Sequence, residues 1–333
     1  MSKEKIFALL SAREGKFVSG EDISAQLGIS RAAVWKGVNA LRRDGYIIDA
    51  QTGQGYCLSS SPDALTEREL RRYLGETQRV GKTLYCFESV DSTNSFLKRA
   101  AAEGAPDGTV AVADEQTAGR GRRGRSFSSA SGRGVYLSVL LRPKLPAERL
   151  LPLTALGAVA ACDAVERACG VRPKIKWTND LVLNNKKLSG TLTELSLEGE
   201  SGALDYAVIG IGINCNNAAD DFPPELREVA TSIELETGRR VVRARLSAAL
   251  IEELDRLYEA LCSGETARYL DAYRRDCLTL GREVQLLWQD SHERVTALDV
   301  DDQFGLIVRH ADGTIETIRT GEVSVRGLYG YVE

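Results

Sequence analysis

The seven residues Gly119-Arg120-Gly121-Arg122-Arg123-Gly124-Arg125 constrain this chain more than any other stretch. Four like charges interleaved with three glycines cannot make a packed helix or strand. Glycine withdraws the side chains that packing needs, and a guanidinium leaves water only with a partner. The run has to be an exposed excursion between packed elements. Its flanks agree: residues 109–113 and 134–141 are short apolar runs of strand type, so the excursion joins two neighbouring strands of one sheet, a common place for function. Glycine lets backbone N–H groups approach a ligand, and arginine presents planar charged forks that match phosphate and carboxylate oxygens. The loop therefore suits an anion, above all a phosphorylated one. It is expected to repel itself until a counter-charge orders it. A solvated basic turn or a general nucleic-acid patch would use the same residues.

The run also spells G-x-G-x-x-G, the dinucleotide-binding fingerprint, but that site requires a helix directly after it. Here Ser126-Phe127-Ser128-Ser129-Ala130-Ser131-Gly132 reads as loop, which excludes a Rossmann site, and no G-x-x-x-x-G-K-[ST] occurs anywhere. Seven cysteines without a C-x-x-C pair suit a reducing cytoplasm and argue against a cysteine-held zinc. His292 and His310 are the two histidines, so a histidine-based triad or metal site has little to build on. The chain has 333 residues and a formal net charge of −4, which allows two or three domains and argues against coating nucleic acid along its whole length. No apolar run is long enough for a membrane span, and Met1-Ser2-Lys3-Glu4-Lys5 leads straight into a helical pattern, so neither a leader nor a membrane partner is expected.

Residues 1–62 form a module by themselves. A first stripe carries Ile6, Leu9 and Leu10; Ser19 caps a second helix with Ile23 and Leu27; Ser30 caps a third, over 31–43, with Val34, Val38 and Leu41. The short Gly28-Ile29-Ser30 turn makes the pair a helix-turn-helix, and residues 45–50 and 56–58 around Gly53 make a hairpin wing. A winged helix of this kind would place its third helix in the major groove of DNA, with Ser30, Arg31, Lys36 and Asn39 on the polar face. Winged helices also serve in protein contacts. Ser59-Ser60-Ser61-Pro62-Asp63 is the linker, after which 66–74 reads as a short helix.

Residues 63–278 read as a mixed α and β domain. A strand at 84–87 runs into Asp91-Ser92-Thr93-Asn94 ahead of a helix; such residues usually cap, though they could also hydrogen-bond a small polar ring. A buried alanine-rich helix covers 150–168, and a hairpin follows from Lys176-Trp177-Thr178-Asn179-Asp180 through Asn184-Asn185 to Lys187. By itself Lys187 reads as a solvated turn charge and Asp180 as turn chemistry. Residues 206–214 make a central strand, whose Gly210 and Gly212 suggest close approach by a ligand or another backbone. An irregular polar stretch covers 215–225, and helices cover 242–261 and 266–275. From 279 to 333 short strands separated by turns suggest a small SH3-like barrel.

Together these pieces resemble the biotin–protein ligases that double as repressors of biotin operons. The resemblance rests on Asp91-Ser92-Thr93-Asn94, Gln116 with residues 119–125, Lys176-Trp177-Thr178-Asn179-Asp180, Lys187-Leu188-Ser189-Gly190, Gly210-Ile211-Gly212-Ile213-Asn214 and Gly321-Glu322-Val323-Ser324-Val325-Arg326-Gly327, in order over nearly the whole chain. Thr178 stands where that family usually has proline, and Phe127 where it usually has tryptophan. The resemblance implies an α+β protein: an N-terminal winged helix (1–62), a mixed-sheet ligase domain of class II synthetase type (63–278) and a C-terminal SH3-like barrel (279–333). It implies ATP, biotin and Mg²⁺ as reactants, a biotin carboxyl carrier domain and operator DNA as partners, and a homodimer when the adenylate is bound. By position it implies that Ser92, Thr93, Asn94, Gln116, Arg120, Gly121, Arg122 and Lys187 bind biotin and its adenylate. Lys187 and Arg122 would act in catalysis, Asp180 would orient or deprotonate the incoming lysine, and no residue is named as a metal ligand. A lipoyl or octanoyl ligase, or a nucleotide-sensing winged-helix repressor without catalysis, are the alternatives.

Overall fold

A computed structural model describes residues 2–199, 202–288, 291–319 and 322–324. Of the closing motif, Gly321, Val325, Arg326 and Gly327 lie outside these residues. The chain divides into two compact units, Met1–Ala64 and Leu65–Glu333.

In the first unit, α1 (Ser2–Ser11), α2 (Gly20–Leu27) and α3 (Arg31–Arg43) precede an antiparallel hairpin of β1 (Ile47–Gln51) and β2 (Gly55–Ser60). Ser19 Oγ accepts from the Asp22 amide at 2.9 Å to start α2, Gly28 ends it at φ 63°, and Ser30 Oγ accepts from the Ala33 amide at 3.2 Å to start α3. Ile6, Leu10, Ile23, Val34, Val38 and Leu41 close the core. A Cβ at Gly37 would stand 2.3 Å from Ile6 Cδ1, so a larger residue there would have to displace that buried methyl group.

The second unit is built on a seven-stranded sheet ordered β3-β4-β5-β9-β8-β7-β6, in which β3 and β4 are parallel and every other pair antiparallel. After α4 (Glu67–Tyr73), these strands are β3 (Leu84–Val90), β4 (Val110–Gln116), β5 (Gly134–Leu141), β6 (Lys174–Lys176), β7 (Asp180–Leu183), β8 (Lys186–Leu197) and β9 (Leu204–Asn214). Helix α5 (Thr93–Ala102) follows β3, α6 (Leu153–Cys169) follows β5, and α7 (Ile233–Thr237), α8 (Arg243–Ser263) and α9 (Ala267–Asp276) follow β9.

Strand alternation divides the two faces. Along β9, Ile209, Ile211 and Ile213 enter the large core with α6 and α8, while Val208 joins Leu97 and Ala101 of α5 on the other side. Gly210 and Gly212 share the Val208 face, and by register they lie beside Ser138 and Tyr136 on β5 and Leu192 and Gly190 on β8. One end of that face is uncovered by α5, and the site is there.

The C-terminal strands β10 (Glu283–Trp288), β11 (Ser291–Val300), β12 (Leu306–Arg309), β13 (Ile315–Ile318) and β14 (Glu322–Ser324) form an antiparallel sheet ordered β13-β12-β11-β10-β14. Among the described residues β13 and β14 are opposite edges, so the sheet is open rather than a closed barrel. It shares the large core through Val295, Ala297, Leu306 and Val308. Trp177 Nε1 donates to the Phe304 carbonyl at 2.9 Å, tying this sheet to the Lys-Trp-Thr-Asn-Asp segment. No described helix is long and apolar enough to cross a membrane.

Candidate active site

A cavity of about 540 Å³ lies on the open sheet face. Arg120, Arg122, Arg125, Lys176 and Lys187 line it against two carboxylates, Asp180 and Glu225. Such a balance favours a polyanion.

The floor is a continuous chain of buried hydrogen bonds. Ser138 Oγ, on β5, donates to Asn94 Oδ1 at 2.6 Å and lies 2.7 Å from Thr93 Oγ1. The Thr93 hydroxyl and amide reach Gln116 Oε1 at 3.1 and 2.9 Å, and Gln116 Nε2 donates to Ser129 Oγ at 2.9 Å. Ser92, Thr93 and Asn94 are each at most 4 % exposed. The capping reading holds for Ser92 alone, whose Oγ accepts from the Ser95 amide. Thr93 and Asn94 face inward, because the helix start delivers them over the sheet at the two glycines.

Of the two readings of Gly210 and Gly212, approach by a ligand stays open because both line the cavity, and approach by another backbone does not hold. A Cβ at Gly210 would meet Asn94 Oδ1 at 2.0 Å, and one at Gly212 would meet Phe127 Cε1 at 2.6 Å. The close neighbours are thus side chains of this chain, not a second backbone. Phe127 lies over Gly212 and edge-on to Tyr136, with ring centroids 6.3 Å apart, so the phenyl ring supplies the aromatic wall.

The Gly/Arg run folds back on itself. The Gly121 amide donates to the Arg125 carbonyl at 2.7 Å and the Phe127 amide to the Gly119 carbonyl at 2.9 Å. A single 3₁₀ turn sits at the tip with Arg123 at φ 56°. Two loop arginines reach opposite walls. Arg120 Nη1 lies 3.2 Å from Glu194 Oε1, and Arg122 Nη1 donates to Asn179 Oδ1 at 2.8 Å.

Lys187 is not the solvated turn charge that its sequence position suggests. Its Nζ donates to Asp180 Oδ1 at 2.7 Å, and Asn179 Nδ2 donates to the same oxygen at 3.1 Å. The cause is a bulge: Ser189 pairs with Leu181 but Lys187 with Val182, which leaves Leu188 as an extra residue. In strict alternation residues 187 and 190 would take opposite faces; the extra residue turns Lys187 onto the face of Gly190. The Lys187 amide donates to the Val229 carbonyl at 2.7 Å and its carbonyl accepts from the Thr231 amide at 2.9 Å, which fixes the backbone there.

Glu194 and Arg243 contribute from outside the motifs read in the sequence, and Lys176 from within one of them. Glu194 accepts from Asn94 Nδ2 at 2.9 Å and Lys98 Nζ at 3.0 Å besides meeting Arg120. Burial alone would raise its carboxyl, but hydrogen bonds from Asn94 and Lys98 and the charges of Lys98 and Arg120 hold it below the usual glutamate range. Lys176, at 9 % exposure, adds a buried cation to the cavity. Arg243, 1 % exposed, donates to Asp114 Oδ1 at 2.7 Å and the Gly134 carbonyl at 3.2 Å, joining the two stems of the Gly/Arg loop. Glu194 joins the site through the register of β8 against β9, and nothing local to either Glu194 or Arg243 announces its partner.

In the first unit, Arg31 and Lys36 lie on the exposed face of α3. The other two residues assigned to DNA have local duties: Ser30 Oγ is the α3 cap, and Asn39 Oδ1 accepts from Arg42 Nη1 at 3.3 Å.

Residues 86–214 match the biotin/lipoate A/B protein ligase family, and residues 2–57 match a helix-turn-helix domain family. The chain is 35% identical to a bifunctional ligase/repressor BirA of Bacillus spizizenii, covering 97% of this chain and 98% of that protein. It is 37% identical to its Bacillus subtilis counterpart over 86% and 83% of the two chains. Among solved structures, a biotin protein ligase from Aquifex aeolicus, in complex with biotin and ATP, matches at 30% identity and a TM-score of 0.62, covering 73% of this chain and 98% of that one. An exposed arginine loop over a neutral polar floor, a re-aimed lysine and a helix-turn-helix unit therefore meet in a chain that belongs to the family of bifunctional biotin ligase/repressors.

Proposed function

We propose that the cavity activates biotin with ATP, forming biotinyl-5′-adenylate and pyrophosphate, and then passes the acyl group to a lysine of a biotin carboxyl carrier domain with release of AMP. The observation that carries this reading is the placement of Lys187, paired to Asp180, and Arg122, on Asn179, beside a floor of Thr93, Asn94 and Gln116. In the first step a carboxylate oxygen of biotin attacks the α-phosphorus and the bond to pyrophosphate breaks. In the second the lysine nitrogen attacks the acyl carbon, loses a proton, and the bond to AMP breaks. Negative charge grows at the phosphoryl oxygens and then at the acyl oxygen, and fixed cationic donors stabilise both.

In this reading Ser92, Thr93, Asn94 and Gln116 surround the ureido ring, which would otherwise lose its hydrogen bonds to water. Arg120, Gly121 and Arg122 fold over the carboxylate and adenylate, and Lys187 bridges carboxylate and α-phosphate. Asp180, which accepts from Lys187, orients the carrier amine or takes its proton. The loop also keeps water from the mixed anhydride. Mg²⁺ enters as part of the nucleotide substrate; among the described residues no group of three His, Cys, Asp or Glu is placed to hold it, so no ligands are assigned.

The modular reading is a winged helix at 1–62, the ligase domain at 63–278 and a C-terminal β domain at 279–333. The protein acts in the cytoplasm. The adenylate stabilises a homodimer through the central sheet, which sets two winged helices on a two-fold operator. That shift requires the adenylate to bind the dimer-competent state more tightly. While carrier domains consume adenylate the operator is open; when they are fully modified it is occupied. Incubation with biotin, MgATP and an apo carrier domain, followed by carrier mass measurement, tests the reading. A biotinyl increment is expected. An increment with lipoate alone would make the chain a lipoyl ligase, and no biotin-dependent ATP–pyrophosphate exchange would leave a nucleotide-sensing repressor.

A further inference from the structure

The exposed face of α3 carries a residue that none of the preceding assignments uses. Val34, Val38 and Leu41 of this helix are at most 1 % exposed, whereas Trp35 is 57 % exposed. It follows Arg31 by one helical turn and adjoins Lys36. Trp177 shows how the fold employs an indole elsewhere: it is 6 % exposed and its Nε1 is hydrogen-bonded. An aromatic that could contribute to a core stands in water at the centre of a helix's solvent face. A lone exposed apolar residue is ordinary by itself; its surroundings decide what it meets. Helix α3 contains Arg31, Lys36, Arg42 and Arg43 and no carboxylate. That charge selects an anionic partner over an apolar protein surface.

We propose that Trp35 is a sequence-reading residue of the winged helix, making an apolar contact to a thymine C5-methyl group in the major groove of duplex DNA. The proposal rests on the reading of residues 1–62 as a DNA-binding module. Ser30 Oγ and Asn39 Oδ1 already accept hydrogen bonds from α3 itself. Arg31 and Lys36 supply charge, which positions the helix on phosphates or reaches guanine. In the major groove the thymine methyl is the apolar feature that separates A·T from the other pairs, and an indole beside two cations matches it.

The test uses the full chain with biotin and MgATP. Duplexes are selected from a randomised pool by the unaltered protein, and each thymine is then replaced by uracil, which removes only the methyl group. Affinities are measured for the unaltered protein, Trp35→Ala and Trp35→Phe, with circular dichroism melts to check folding. At one or two positions uracil is expected to weaken the unaltered protein about fourfold, the effect of exposing one methyl-sized group. Trp35→Ala should be indifferent to uracil there, Trp35→Phe should retain part of the penalty, and both should keep salt-dependent binding to unrelated duplex. Equal uracil penalties in Trp35→Ala and the unaltered protein would overturn the assignment while leaving the winged helix a DNA binder. Unchanged uracil penalties with lost self-association would assign Trp35 to a protein contact and also overturn it. Failure of the unaltered protein to enrich any duplex would remove the DNA reading and the proposal together.

Discussion

Two cavities of similar size, both lined with arginine, differ in how far carboxylates balance the cations. The second, about 450 Å³, lies between α6 and α9 and is lined by Arg172, Arg268 and Arg275 with Asp163 and Glu166. There Arg172 meets Asp163 at 2.8 Å, Glu166 at 2.5 Å and Asp276 at 2.7 Å, while Lys174 and Arg275 also reach Asp276. Arg172 and Arg275 are thus answered by carboxylates inside the protein. In the cavity on the sheet face Arg120 meets Glu194 and Lys187 meets Asp180, but Arg122 reaches a neutral amide, and the five lining cations outnumber the two lining carboxylates. An arginine count does not separate a structural network from a candidate anion site; the local balance of carboxylates is the better guide.

The largest effect expected from this contrast is at Lys187. Lys187→Met should lower biotin-dependent ATP–pyrophosphate exchange by about 10²–10³-fold, the loss typical of one donor to developing charge. Near-normal exchange would move the phosphate site elsewhere. Arg172→Ala should cost about 2 kcal/mol in urea unfolding, less than a fully uncompensated buried charge because Lys174 and Arg275 still reach Asp276. It should leave the biotin KM unchanged; a raised KM would join the two cavities.

The same network carries a pH signature. Burial alone would raise the Asp276 carboxyl, but hydrogen bonds from Arg172, Arg275 and Lys174 hold it below the ordinary value. A depressed carboxylate stabilises the fold fully above its unfolded pKa of about 3.9 and loses that contribution as pH falls through the folded value. The stability gap between the unaltered protein and Arg172→Ala should accordingly shrink below about pH 4.

A smaller effect belongs to the loop. Arg122→Gly should still form adenylate but release it early, raising biotin labelling of bystander lysines about tenfold, an effect near 1.4 kcal/mol. No increase would count against the loop as the anhydride's guard. The smallest effect is at Glu194. Glu194→Gln keeps an acceptor for Asn94 but discharges the partner of Arg120, so trypsin cleavage within residues 119–125 should rise about threefold, within the range of an exposed ion pair. Cleavage that stays level would mean that this contact does not hold the loop.

Much of the architecture was readable in one dimension because the signals are local. Caps at Ser19 and Ser30, the stripe Val34, Val38, Leu41 and the apolar alternation of β9 act within a turn or a strand of the residues they organise. The Gly/Arg run was readable for a related reason: nothing but an exposed loop tolerates it. Lys187 and Asp180 looked ambiguous because each is an ordinary turn residue until the Leu188 bulge brings them together. Gly210 and Gly212 advertised a close approach, but what approaches them comes from α5 and from the arginine loop.

The order of residues alone therefore determined the winged unit, the strand and helix sequence and the exposed position of the arginine loop, since each follows from propensity, capping or charge acting over a few neighbours. Tertiary structure decided which face Lys187 takes, that Glu194 answers Arg120 from a strand far along the chain, and that Arg243 joins the stems of the loop. Those depend on register and on burial, which set the distance between charges and the dielectric between them, and neither is written in the spacing of residues along a chain.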